Sequence, residues 1–175
     1  KTALIAGGAL WERVAAGEPV DDDVILACAR TKLAVVAADE RDGGRRQVLN
    51  LGHTVGHALE TVTGYGRLRH GEAVGLGLLA ALRLSGQDAL RDDVAALLGR
   101  AGLPTSLDGV DAEEVVRATS RDKKRTGEAA TPFVLVRSGP GDAVHGQEVA
   151  VADVLDAVRE LVRTSHAASG TDHAR

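Results

Sequence analysis

Arg46-Gln47-Val48-Leu49-Asn50-Leu51-Gly52-His53-Thr54-Val55-Gly56-His57-Ala58-Leu59-Glu60, followed by His70-Gly71-Glu72-Ala73-Val74, is the stretch on which the organisation of this chain turns. It predicts a helix from about Gly52 to Thr63, closed by Gly64-Tyr65-Gly66, because glycine supplies the left-handed residue that ends helices. A second helix is expected from His70 to about Ser85. Its small residues Gly71, Ala73, Gly75, Gly77, Ala80 and Ala81 permit close backbone approach, so it belongs at the centre, with other elements around it. His53 and His57 stand four residues apart, which puts both imidazoles on one helical face. His70 opens the next helix after a short glycine-bounded turn that can bring it back beside them.

Three of the six histidines therefore fall between residues 53 and 70. Neutral imidazole is a common ligand for zinc and similar metals, so the cluster is a candidate metal or catalytic centre. Spacing alone fits equally well with histidines that cap a helix or fill a gap on its surface. The zinc-protease pattern is excluded, because Thr54 follows His53 where that motif needs a glutamate base. Glu60 and Glu72 are the nearby carboxylates, and both also suit solvated positions. His145, His166 and His173 are scattered later in the chain and receive no role.

Outward from this stretch the chain reads as helices. Thr2 to Leu10 is apolar, with Gly7-Gly8 as a break between two short helical pieces, and Gly17-Glu18-Pro19 ends the unit. Asp21-Asp22-Asp23 supplies an N-cap and dipole-favoured carboxylates for a helix to about Ala38. Its apolar positions Val24, Ile25, Cys28, Leu33 and Val36 form an imperfect stripe, in which Cys28 is expected to pack in the core. Asp39 to Arg45 reads as a loop. Further helices are expected from Asp88 to Ala101, from an Asp111 cap to Arg121, and from Val151 to Thr164. Pro132 to Val136 is the strand candidate, and Gly139-Pro140-Gly141 turns into a second short strand. The fold class is thus mostly α with a small β-hairpin, one domain over residues 1–164 and a frayed polar tail over 165–175.

Composition agrees and narrows the function classes. A chain of 175 residues can bury a real core, and with Trp11, Tyr65 and Phe133 as its only aromatics that core must be aliphatic. Aliphatic cores of Ala, Leu, Val and Ile suit close-packed helices. The net charge of −4, with no basic stripe, argues against a nucleic-acid partner. The single Cys28 allows no intrachain disulfide and fits a reducing compartment. No apolar run is long enough to span a membrane and no signal peptide is visible, so a cytoplasmic location is expected. The chain contains no methionine, so it is expected to be a piece of a longer protein, with Lys1 an internal residue.

The run from Leu49 to Glu60 and the following His70-Gly71-Glu72-Ala73-Val74 together resemble the signature of the 3-dehydroquinate synthases, a branch of the sugar-phosphate cyclases. The likeness extends to the Lys32 helix with its Val36-Ala37-Ala38-Asp39-Glu40 ending and to Arg121-Asp122-Lys123-Lys124. It covers most of Lys1 to about Leu161. It implies the helical C-terminal half of the dehydroquinate synthase-like fold, in a parent that is a homodimer. The implied reaction converts 3-deoxy-D-arabino-heptulosonate 7-phosphate to 3-dehydroquinate and phosphate, a lyase step of the shikimate pathway that depends on NAD and a divalent metal, zinc or cobalt.

In the family the metal is held by one glutamate and two histidines, and the motif carries those histidines over to His53 and His70. The glutamate lies in a Glu-Val-Ile-Lys run whose lysine corresponds to Lys1, so that ligand is expected upstream of this chain. Substrate contacts carry over to Lys1, Lys32, Arg46, Asn50 and one of Lys123 and Lys124. Lys32 and His57 carry the implied catalytic roles, His57 as the candidate for proton transfer. NAD is implied to bind mainly to an N-terminal domain with no counterpart here, since Gly7-Gly8 and Gly43-Gly44 lack the preceding strand and spacing of a dinucleotide loop. Three other possibilities stay open: a cyclase making inosose- or valiolone-type rings, a relative of the iron-type alcohol dehydrogenases, and an inactive helical interaction module.

Overall fold

In the computed structural model, which describes residues 1–39, 44–121 and 132–163, the first apolar run breaks at Gly7. The φ of 66° at Gly7 is one that glycine tolerates, and it divides α1 (Thr2–Ala6) from α2 (Gly8–Ala15). Helix α3 (Asp22–Ala37) starts where the acidic run predicts, with Asp21 Oδ1 accepting from the Val24 N–H at 3.0 Å. Its apolar stripe departs from expectation. Val24 is the one buried residue of α3; Ile25, Leu26 and Leu33 are exposed and Cys28 is only half-buried.

Residues 40–43 of the loop expected from Asp39 to Arg45 lie outside the described residues, and at its end Arg45–Asn50, for which no element was predicted, winds into a 3₁₀ turn. Leu51 behind it is fully buried, and Gly52, left-handed at φ 80°, leads directly into α4 (His53–Val62). The chain then reverses through two left-handed residues, Gly64 and Tyr65, with the Tyr65 N–H donating to the Glu60 carbonyl at 2.9 Å. Helix α5 (His70–Leu84) follows. Every residue from Ala73 to Leu82 is buried, as the run of small residues implies for a central helix.

Glycines set how closely α4 meets α5. A Cβ on Gly77 would lie 1.9 Å from the Gly52 carbonyl oxygen, and one on Gly56 would lie 3.1 Å from that of Ala73. The Gly52 turn can seat on α5 only because Gly77 has no side chain. Gly75-Leu76-Gly77-Leu78-Leu79-Ala80 has the spelling of a dinucleotide fingerprint, but it lies inside α5 with no strand before it.

Around α5 pack α4, α6 (Asp88–Arg100), α8 (Val151–Leu161) and β2 (Phe133–Val136), while α7 (Ala112–Arg121) lies against α4 and α8. Strand β2 pairs antiparallel with β3 (Ala143–Gln147), with a register irregularity between Phe133 and Leu135. The hairpin is tied to α1 by the Gly141 N–H donating to the Leu4 carbonyl at 2.8 Å. His145 of β3 covers Gly44, where a Cβ would meet the ring at 2.5 Å. The last helix is shorter than predicted: it stops at Leu161, and β4 (Val162–Arg163) pairs in parallel with β1 (Leu107–Asp108). The tail expected over 165–175 lies outside the described residues. Among those described, no helix is long and apolar enough to cross a membrane.

Candidate metal centre

The 3₁₀ turn, the Gly52 corner and the Tyr65 reversal bring three imidazoles together. Ring centroids are 5.2 Å apart for His53 and His57, 5.3 Å for His53 and His70, and 5.7 Å for His57 and His70. One nitrogen from each lies within 4.8 Å of one from each of the others, a spacing that a single cation can bridge. His53 is half-buried, whereas His57 and His70 are exposed. The donor set of converging imidazoles suits zinc, cobalt and similar divalent ions.

The three rings are not held alike. His53 faces the Leu51 carbonyl through Nδ1 at 3.3 Å, and His70 faces the Glu60 carboxylate through Nδ1 at 3.1 Å. Donation from Nδ1–H in both cases leaves Nε2 as the ligand nitrogen, the arrangement that metal-binding histidines ordinarily have. For His57, one turn along α4, the described residues provide no such acceptor. Burial, then the Lys1 ammonium, pushes His53 down to about 4, so its ring is neutral and its lone pair available at neutral pH.

Lys1 is part of the same cluster. Its Nζ donates to the Leu49 carbonyl at 2.9 Å and stands 3.5 Å from His53 Nε2, a position from which a metal at that nitrogen would displace it. Burial, followed by the charge of Lys32, lowers the Lys1 ammonium from its ordinary value. The charge of Lys32, in the middle of α3, is thus felt at Lys1, which caps α1. Arg46 and Asn50 lie on the 3₁₀ turn that runs into His53, both exposed, and the Arg46 N–H is fixed by Asp39 Oδ2 at 2.9 Å. Lys123 and Lys124 lie outside the described residues.

The two carboxylates left open by spacing have partners. Glu72 reaches back from the first turn of α5 to the Arg69 N–H at 2.7 Å, capping the helix that starts with His70. Glu60 is buried against His70. A signal for Glu60 was available: residues 53, 57 and 60 follow the i, i+4, i+7 spacing of one helical face.

This site belongs to a stretch with clear relatives. Residues 1–125 match the family described as 3-dehydroquinate synthase C-terminal. The chain belongs to that family. It is similar to the 3-dehydroquinate synthase of Rhizobium meliloti, 41% identical over 162 residues that make up 86% of this chain and 42% of that protein. The 3-dehydroquinate synthase of Rhodospirillum rubrum is 45% identical over 152 residues, 79% of this chain and 38% of its own length. The chain thus spans about two fifths of the curated relatives it matches. A solved structure of 2-deoxy-scyllo-inosose synthase complexed with carbaglucose-6-phosphate, NAD+ and Co2+ covers 91% of this chain and 48% of its own, with a TM-score of 0.64. At 20% identity that likeness shows a shared fold.

Proposed function

We propose that this chain is the metal- and substrate-binding half of a 3-dehydroquinate synthase, acting on 3-deoxy-D-arabino-heptulosonate 7-phosphate to give 3-dehydroquinate and phosphate. The observation that carries this is the pair His53 and His70, each with an acceptor at Nδ1, with the Lys1 ammonium 3.5 Å from His53 Nε2, in a chain of this family.

A divalent metal between His53 and His70 would bind hydroxyl oxygens, lower their pKa and stabilise the oxyanionic charge that develops. The chain's own residues supply the rest. Lys1, Lys32, Arg46 and Asn50 offer cations and donors suited to a substrate with one carboxylate and one phosphate. His57 stands among the imidazoles with no Nδ1 acceptor among the described residues, and it is the candidate to carry a proton. Among the described residues no glycine-rich strand-to-helix loop stands ready to hold NAD.

The test uses a protein extended to the length of the family relatives and supplied with Co2+ and NAD. Phosphate release from the heptulosonate phosphate is expected. Turnover confined to a sedoheptulose-type phosphate would instead make the protein a different cyclase.

A further inference from the structure

Glu60 is an unusual place for a buried carboxylate. It lies in the last turn of α4, where the helix dipole disfavours negative charge, and its side chain is only 11% exposed. Neither helix geometry nor solvent explains it, and burying a carboxylate is costly unless donors satisfy it. Among the described residues the donor to it is the ring of His70, whose Nδ1 lies 3.1 Å from Glu60 Oε1. His70 itself is 58% exposed and begins α5, so packing alone does not set its ring orientation.

The geometry points to Glu60 as a positioning residue that fixes the tautomer and orientation of His70 by accepting its Nδ1–H. The proton then resides on Nδ1, and the Nε2 lone pair remains for the cation shared with His53. Negative charge on Glu60 also polarises the ring and raises its strength as a donor to a metal. His53 has the same arrangement in a weaker form, with the neutral Leu51 carbonyl as its acceptor. The two candidate ligands thus differ in what holds Nδ1, a carboxylate for His70 and a peptide carbonyl for His53. A purely structural role, as a tie between the end of α4 and the start of α5, would hold the helices together without dictating where the ring proton sits.

This inference rests on the metal-centre reading above, and the experiment separates the two. Two-bond 15N–1H spectra of the metal-free 175-residue chain report the tautomer of His70 directly, and Co2+ titration followed by visible absorption reports the centre. Wild type is expected to carry the His70 proton on Nδ1. Glu60→Leu, an apolar replacement of similar size, is expected to release the ring into a mixture of tautomers. It should also weaken Co2+ about 10- to 100-fold and alter the Co2+ absorption bands. Glu60→Gln keeps a carbonyl acceptor, so it should retain the Nδ1–H tautomer and lose less affinity, which preserves the test if the Leu variant folds poorly by circular dichroism. A wild-type chain that binds Co2+ with the His70 proton on Nε2 overturns the role of Glu60 alone. So does a Leu variant with the wild-type tautomer and affinity. A protein extended to the length of the family relatives that takes up no Co2+ overturns the metal centre and the role of Glu60 with it.

Discussion

His53 and His57 share a helix face one turn apart, so spacing treats them as equals, and only their surroundings distinguish them. His53 is half-buried, has the Leu51 carbonyl at Nδ1 and stays neutral down to about pH 4. His57 is exposed, and no acceptor for it is found among the described residues. His70, ten residues past Glu60, matches His53 rather than His57 in having its Nδ1 engaged. A metal that needs an oriented lone pair gains more from an imidazole already held than from one that must be immobilised on binding. In the extended protein, His53→Ala and His70→Ala are each expected to strip the metal, while His57→Ala keeps it and lowers turnover by a factor on the order of 10² to 10⁴ typical of a lost proton-transfer group. Metal per chain after gel filtration, alongside the rate of phosphate release, separates these outcomes. Metal loss in the His57 variant would reinstate the i, i+4 pair as the ligands.

At the level of elements, the site depends on how α4 is seated on α5. The Gly52 carbonyl occupies the space where a Gly77 side chain would begin, at 1.9 Å. Gly77→Ala must therefore push the His53 corner away from α5. Helix propensity favours alanine over glycine by roughly 1 kcal/mol, but overpacking a backbone contact costs about 3 kcal/mol, so the contact wins. Gly99 in α6 is the control, since a Cβ there meets nothing within 4 Å. Gly99→Ala should raise stability by about 0.5 to 1 kcal/mol, whereas Gly77→Ala should lower it and weaken Co2+ binding as well. Urea unfolding of both variants gives the signs, and a neutral Gly77→Ala would refute the close seating.

The same elements show what sequence can reveal. Helix starts were legible wherever a local signal exists: the Gly7 break, the Asp21 cap and the small-residue run of α5 all appear where the residues predict. Three features had no local signal. The parallel pairing of Leu107–Asp108 with Val162–Arg163 joins two-residue strands distant in sequence, too short to show alternation. The exposure of Ile25, Leu26 and Leu33 on α3 could not be anticipated, because periodicity marks apolar positions without saying what covers them. The Glu60–His70 contact depends on the Tyr65 reversal, a left-handed turn at a non-glycine residue that propensity disfavours. That His53, His57 and His70 converge was legible from their spacing and the glycine-bounded turn, whereas the choice of His53 and His70 over His57 rests on the family resemblance, to which the Nδ1 acceptors add a physical argument.

For the whole molecule, the core is one contiguous cluster. It runs from Leu4 and Ile5 of α1 through α4, α5, α6, α7 and the β2–β3 hairpin to Val158, Leu161 and Val162. Leu51, Leu59, Leu76, Leu79, Leu82 and Leu161 are almost fully buried within it. The exposed apolar residues Val20, Ile25, Leu26 and Leu33 lie at one side, on and before α3, and contribute little to this cluster. Folding of the described elements therefore does not rest on the α3 face being covered. A single cluster that joins the first helix to the last strand should be lost all at once, as small domains usually unfold. With about 0.7 kcal/mol of unfolding enthalpy per residue, a domain of this size should absorb on the order of 100 kcal/mol at its midpoint. The 175-residue chain is thus expected to melt in one cooperative step by circular dichroism and calorimetry. It should bind Co2+ through its imidazoles yet show no NAD-dependent release of phosphate, because it spans only about two fifths of the length of its synthase relatives. A broad, non-cooperative melt would mean that the core needs the α3 face covered, and phosphate release by this chain with NAD would place the dinucleotide site where no glycine-rich loop predicts one.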